Sequence, residues 1–225
     1  MIKIKKKKQL EMILQKIPSH PNPKVNLEQY TTPSYIASDL LWNAYSIGDI
    51  EGRNIIDLGC GTGIFAIGSS LLGACKSLGL DIDNDSIGTA LKTSNNLNLK
   101  NVNFDVLNVL QSNDLINIVK TYNLSYDNNF KVETLFQNPP FGSQEKVKKG
   151  KDKKFIDVAM NSAEVIYSFH MLSTEKFVCE YFESKGGVVS HKFRYHFPLP
   201  KVYSFHKKET YNVDVIVLRV ENFSI

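Results

Sequence analysis

Four consecutive residues, Asn138-Pro139-Pro140-Phe141, carry the most specific chemistry in this chain. Paired prolines fix the backbone and supply no N–H, which leaves the local carbonyls facing outward as acceptors. The Asn138 side-chain oxygen and the Pro139 carbonyl can together accept both hydrogens of one –NH₂ group. A nitrogen conjugated to a ring or a carbonyl is a poor nucleophile while its lone pair is delocalised. Two acceptors favour the pyramidal, more nucleophilic form that develops as the nitrogen attacks. That is transition-state stabilisation by fixed dipoles, and it needs no covalent enzyme intermediate. Phe141 can stack on a flat substrate, a contact worth ~1–3 kcal/mol for an unstacked base. No strong general base is required, because the alkylated nitrogen becomes acidic. Turns of this type are common in proteins, and the motif alone does not separate adenine, cytosine and glutamine amide as the acceptor.

A second constellation would hold the group to be transferred. In Asp57-Leu58-Gly59-Cys60-Gly61-Thr62-Gly63, followed by Ile64, glycines let the backbone bend sharply and approach a ligand closely. The exposed N–H groups of the turn and the following helix would hold a polar or anionic group. Spacing Gly-x-Gly-x-Gly after Asp-Leu differs from the Gly-x-Gly-x-x-Gly phosphate loop and is the form of the class I methyltransferase glycine loop. That loop grips the amino-acid end of S-adenosylmethionine. Asp81 ends a strand about 20 residues later, where a carboxylate can accept from both ribose hydroxyls. Asp105 lies at the next strand end and can receive an adenine amino group, with the Val106 N–H offered to the ring. Asp83 reads as the cap of the next helix. Expected cofactor residues are therefore Asp57, Gly59, Gly61, Thr62, Gly63, Ile64, Asp81, Asp105, Val106 and Asn138.

The elements that must position these groups alternate in type. Apolar runs predict strands at Ile55–Leu58, Ser77–Ile82, Val102–Val106 and Val132–Gln137, with helices at Thr62–Leu72, Asp85–Asn98 and Leu110–Tyr122 between them and a polar loop at Ser125–Asn129. A helix over Phe155–Glu164, a strand at Val165–Phe169, a helix over Thr174–Ser184 and two long strands, Val188–Phe197 and Tyr211–Val220, follow. This order implies an α/β, doubly wound, Rossmann-like sheet that is largely parallel, closed by an antiparallel C-terminal hairpin. Ligands of such sheets bind outside the carboxyl ends of the strands, where all the residues above converge. Ahead of the sheet, Leu10, Ile13, Leu14 and Ile17 have helical spacing, Pro18, Pro21 and Pro23 mark an extended linker, and a helix starts at Thr32-Pro33 with Thr32 as cap. A single domain over 1–225 is expected, with 1–48 as a helical extension closing over the cofactor and 49–225 as the core.

Composition narrows the class. The chain has 225 residues, 42% of them hydrophobic, and a net charge of +4, ordinary for a globular protein and compatible with a nucleic-acid partner. Five lysines fall within residues 1–8 and six within 143–154; the bland reading of each run is a solvated segment, and for the first it is the better one. Cys60, Cys75 and Cys179 are scattered with no Cys-x-x-Cys pair, so neither a disulfide framework nor a zinc site is expected. The basic start lacks the apolar stretch of a signal peptide, and no apolar run approaches the roughly 20 residues that span a bilayer. A soluble, cytoplasmic protein with no metal and no membrane partner is expected.

The chain resembles the methyltransferase-like protein 5 group and its archaeal relatives, adenine-N6 methyltransferases acting on small-subunit ribosomal RNA. The likeness runs through Gln29-Tyr30-Thr31-Thr32, the glycine loop, Gly79-x-Asp81-Ile82-Asp83, Asp105-Val106 and Asn138-Pro139-Pro140-Phe141-Gly142. It resumes at Tyr167-Ser168-Phe169-His170 and Arg194-Tyr195, and ends at Phe205-His206-Lys207-Lys208. The first and last of these are the most particular. The resemblance implies that Gln29 and Thr32 close over the cofactor and that the product is N6-methyladenosine in an unstacked RNA segment. It recasts Lys148, Lys149, Lys151, Lys153 and Lys154, with His206, Lys207 and Lys208, as a phosphate-binding rim. Eukaryotic members also bind a small zinc-containing activator protein by pairing β-strands. The loop after Gly142 is longer and richer in lysine than the family pattern. Rival readings are an N-methyltransferase of DNA adenine or of protein glutamine, and an inactive RNA-binding module that has kept the methyltransferase shell. The first lacks room for a target-recognition region, the second carries Tyr where this chain has Phe141, and the third has no need of every motif at once.

Overall fold

The computed structural model describes residues 4–24, 27–109, 111, 115–124, 131–141, 151–200 and 210–223. Seven strands form one sheet: β1 (Asn54–Leu58), β2 (Lys76–Asp81), β3 (Val102–Val106), β4 (Val132–Gln137), β5 (Ala163–Met171), β6 (Gly187–Pro200) and β7 (Thr210–Asn222). Their order is β3-β2-β1-β4-β5-β7-β6, parallel from β3 to β5 and antiparallel for the last two. The strands carry apolar residues on both faces because both faces are covered, as βαβ crossovers require. Ile55, Phe136, Phe169 and Val217 pack with Leu14, Leu41 and Phe65 on one side. Their neighbours in sequence, Ile56, Leu135 and Leu218, pack with Val119, Ile156 and Phe182 on the other. The first face is covered by α1 (Lys7–Leu14), α2 (Ser34–Ile47), α3 (Ile64–Leu71) and α4 (Asn84–Asn96). The second is covered by α5 (Leu115–Thr121), α6 (Lys151–Ser162) and α7 (Glu175–Ser184).

Strand order reverses between β1 and β4, and the crevice of a doubly wound sheet opens at that point. Leu58 and Gln137 are register partners. The glycine loop and the Asn138 turn therefore leave adjacent strand ends side by side. A buried ion pair holds this frame to the antiparallel edge. Arg219 of β7 donates to both oxygens of Asp49, at 2.7 and 3.0 Å, and the Tyr167 hydroxyl donates to the same carboxylate at 2.6 Å.

The architecture matches the expectation from sequence, and the departures have local causes. The helix expected to run to Glu164 stops at Ser162, because pairing of Ala163 with Val132 draws the chain into β5. The last two strands extend beyond the expected ends. Pro198 and Pro200 are tolerated in β6 because it is the sheet edge, where a missing N–H interrupts no ladder. Thr32 does not cap α2; the helix starts at Ser34 with Pro33 in the cap position, and the Thr32 hydroxyl is engaged elsewhere. Residues 110 and 112–114 of the expected fifth helix, and the loop at 125–129, lie outside the described residues. Among the described residues no helix is long and apolar enough to cross a membrane.

Candidate active site

The glycine loop is a run of left-handed turns: Gly59, Gly61 and Gly63 have φ of +74°, +54° and +87°. A side chain at any of them would be strained, so this path over the end of β1 depends on glycine. Asp57, the penultimate residue of β1, lies below the loop, wholly buried, and accepts the Ala66 N–H at 3.0 Å. Burial pushes its carboxyl up to about 7, with Asp81 adding to the rise and the Ala66 and Phe65 N–H groups opposing it. Asp81 ends β2 and fastens the loop: its Oδ2 accepts the Gly61 N–H at 2.8 Å and its Oδ1 the Asp83 N–H at 2.9 Å. Burial raises the Asp81 pKa too, against those two donors. The Cys60 thiol is buried and pushed well up, which keeps it protonated.

The segment between α1 and α2 crosses the mouth of the crevice as a strap, and Asp83 anchors it. Sequence reasoning made Asp83 a helix cap. It stands at that position ahead of α4, but its carboxylate makes no cap bond. Instead it binds the Lys24 ammonium, Gln29 Nε2 at 2.9 Å and Ser86 Oγ at 2.8 Å. Burial works against ionisation, yet these three donors hold Asp83 down at about 2. Gln29 is clamped from its other end, its Oε1 accepting the Lys24 N–H at 2.7 Å.

At the far wall the Asn138 amide is oriented by the strap. Its Nδ2 donates to Thr32 Oγ1 at 3.1 Å, while its Oδ1 is buried without a hydrogen-bond partner among the described residues. A buried acceptor left open is costly unless a ligand donor fills it. Pro140 reaches the cleft and Pro139 is buried behind it. The Phe141 ring stacks on Tyr30 at 5.4 Å, and Phe197 meets both rings edge-on.

The resulting cleft encloses about 990 Å³, its open mouth included. Of the expected cofactor residues, Gln29, Thr32, Asp57, Gly59, Gly61, Thr62, Ile64, Asp81 and Asn138 line it. Gly63 is not in the lining; a Cβ there would stand 2.6 Å from the Phe104 ring, so only glycine fits. Asp105 and Val106 end β3 beside the cleft, outside its lining. The Asp105 carboxylate accepts the Val106 N–H at 2.7 Å and the Tyr122 hydroxyl at 3.0 Å, and Leu107, Asn108 and Val109 reach the cleft in their place. Lys153 and Lys154 are exposed on α6, with the Lys153 ammonium over the Phe177 and Tyr181 rings at 5.0 and 5.4 Å. Lys148, Lys149, His206, Lys207, Lys208 and the Lys151 side chain lie outside the described residues. Sequence reasoning missed His20, Lys24 and Tyr30 as site residues. The only signal for the first two was a polar residue within a stiff proline-rich segment.

Comparison with known proteins begins with a family model for ribosomal protein L11 methyltransferase, which matches residues 40–127. Over nearly its whole length the chain is 34% identical to the rRNA N6-adenosine-methyltransferase Mettl5 of Drosophila melanogaster, covering 96% of each. The chain belongs to this rRNA N6-adenosine-methyltransferase family. It is also 41% identical to a protein of Methanocaldococcus jannaschii, over 96% of this chain and 94% of that one. A crystal structure from Pyrococcus horikoshii, described as a candidate RNA methyltransferase, superposes with a TM-score of 0.81 at 31% identity, covering 97% and 98% of the two chains. As a member of the Mettl5 family, the enzyme uses S-adenosylmethionine. Its cleft suits that molecule. Two buried carboxylates, Asp57 and Asp81, line it with pKa values raised chiefly by burial, so a ligand that brings positive charge or hydroxyl donors to them is favoured there.

Proposed function

We propose that this enzyme methylates the N6 nitrogen of an adenosine in small-subunit ribosomal RNA. Asn138 Oδ1 carries the reading: it is a buried acceptor with no partner among the described residues, on a side chain that lines the cleft and is held in place through Thr32. On this reading Gln29, Thr32, Asp57, the glycine loop and Asp81 hold the cofactor, with Leu107, Asn108 and Val109 facing its adenine end and Asp105 and Val106 behind them at the end of β3. When bound, S-adenosylmethionine supplies the methyl group as an electrophile. Asn138 Oδ1 and the Pro139 carbonyl accept the two hydrogens of the adenine amino group and favour its pyramidal form. Their dipoles are fixed before the reaction, so no reorganisation is needed as charge develops. Phe141, braced by Tyr30 and Phe197, offers an aromatic wall for the unstacked base.

The same reading places the enzyme in the cytoplasm, with the lysines of 148–154 and His206-Lys207-Lys208 along the RNA path. It includes the small zinc-binding activator protein that the family resemblance implies, which affinity purification from the native source would recover. The test of the chemistry is methyl transfer from labelled S-adenosylmethionine to RNA, DNA and protein, with nucleosides identified by mass spectrometry. Wild type should place N6-methyladenosine in small-subunit RNA, and Asn138→Ala should lower kcat about 100-fold or more, as loss of a transition-state acceptor does. Label in DNA or glutamine would overturn the substrate, and an Asn138→Ala enzyme within tenfold of wild type would overturn the mechanism.

A further inference from the structure

The strap brings to the cleft a side chain that no motif marks. His20 lies against the glycine loop so closely that a Cβ built on Gly61 would stand 2.7 Å from its Cε1 and 3.0 Å from its Nε2. The other ring nitrogen, Nδ1, is 2.8 Å from Ser86 Oγ. The direction of that bond follows from the next one. Ser86 has a single hydroxyl hydrogen and donates it to Asp83 Oδ2 at 2.8 Å. Its oxygen can then only accept from His20, so the proton of the neutral imidazole sits on Nδ1 and Nε2 is an acceptor. Burial lowers the His20 pKa, against the pull of Asp81 and Asp83, which keeps the ring neutral at pH 7.

Asp81 holds the same glycine, its Oδ2 accepting the Gly61 N–H at 2.8 Å. Each Asp81 oxygen already accepts one backbone N–H and retains one further lone pair toward a ligand. Two acceptors, one from β2 and one from the strap, thus meet at Gly61 in the cleft lining. Neighbouring hydroxyls that both donate are the ligand chemistry that satisfies such a pair. We propose that His20 Nε2 accepts a hydrogen bond from a ribose hydroxyl of the cofactor, sharing the diol with Asp81. This rests on the reading that puts the cofactor ribose at Asp81. Its consequence is that a bound cofactor ties the strap to the glycine loop, adding to the ties that Lys24 and Gln29 make through Asp83.

The test is calorimetric titration with S-adenosylhomocysteine and with its 2′-deoxy and 3′-deoxy analogues. Wild type should bind at least one deoxy analogue about tenfold more weakly than the parent, the loss expected for one hydrogen bond. His20→Ala should bind the parent about tenfold more weakly and should no longer discriminate against that analogue. His20→Gln, which can present an amide oxygen, should recover part of both effects. His20→Ala binding as tightly as wild type, or more tightly, overturns the proposal. So does an equal loss for parent and deoxy analogues, which would make His20 only a packing residue of the strap. Asp81→Asn separates the two readings. If it binds the parent normally and wild type tolerates both deoxy analogues, the ribose is not at Asp81 and the placement of the cofactor itself fails.

Discussion

Asp57 should make cofactor affinity fall as the solution is acidified through neutrality. Its carboxyl is buried, accepts the Ala66 N–H and has a pKa of about 7 in the free protein. The unfolded chain loses that proton near the ordinary value of 3.8, so the native state alone holds it between about pH 4 and pH 7. Across that window the group removes stability from the free protein as pH rises, and the loss is complete above 7. A cationic ligand reverses the balance by favouring the ionised form. With a pKa of about 7, the carboxylate is roughly nine-tenths ionised at pH 8 and one-tenth at pH 6. S-adenosylmethionine should therefore bind about tenfold more weakly at pH 6 than at pH 8, about 1.4 kcal/mol. About half a proton should be released per binding event at pH 7. The raised Asp81 pKa acts in the same direction. Burial lowers the His20 pKa from its ordinary value, against the pull of Asp81 and Asp83. Calorimetry in buffers of different ionisation enthalpy measures affinity and proton release together. Asp57→Asn should bind more weakly and lose most of the pH dependence. Equal affinities at pH 6 and pH 8, or an unchanged slope in Asp57→Asn, would refute the charge argument.

Three further outcomes follow from the structure. Thr32→Val removes the acceptor that orients Asn138 and should lower kcat about tenfold with little change in KM for RNA, whereas Thr32→Ser restores it; steady-state kinetics of the pair decides. Arg219→Met leaves Asp49 buried without its cation and should cost about 3–5 kcal/mol, seen as a Tm lower by about 10 °C, while a shift of under 2 °C would show the pair to be dispensable. His170 is buried beside Ser168 and held down at about 3 by desolvation, so below its ordinary 6.5 the unfolded chain binds a proton that the native state refuses. Stability should fall as pH drops from 6.5 toward 3, and His170→Asn should flatten that limb in urea titrations at stepped pH.

Much of the architecture could be read from the chain, because it rests on short-range signals. Periods of two and about three and a half residues separate strand from helix, and the glycine loop and paired prolines carry their own turn chemistry. Alternating types then leave few topologies, and the doubly wound sheet brings Gly59 and Asn138 together at its switch point. Where tertiary pairing competed with local preference, the local reading failed. Residues 163 and 164 read as helix but belong to β5, where Ala163 pairs with Val132 of β4, and Thr32 reads as a cap but spends its hydroxyl on Asn138.

That a segment ahead of the core closes over the cleft was expected; the contacts that fasten it were decided by tertiary structure. Nothing in the spacing of His20, Lys24 and Gln29 shows that they meet Ser86 and Asp83, far along the chain. Nor does it show that Tyr30 stacks on Phe141. Such contacts follow from how the sheet and its covering helices place distant segments, which no local pattern encodes. The sequence by itself determined which groups could do the chemistry. Folding decided which distant side chains close over them, because those contacts exist only once the cores on both faces of the sheet have formed.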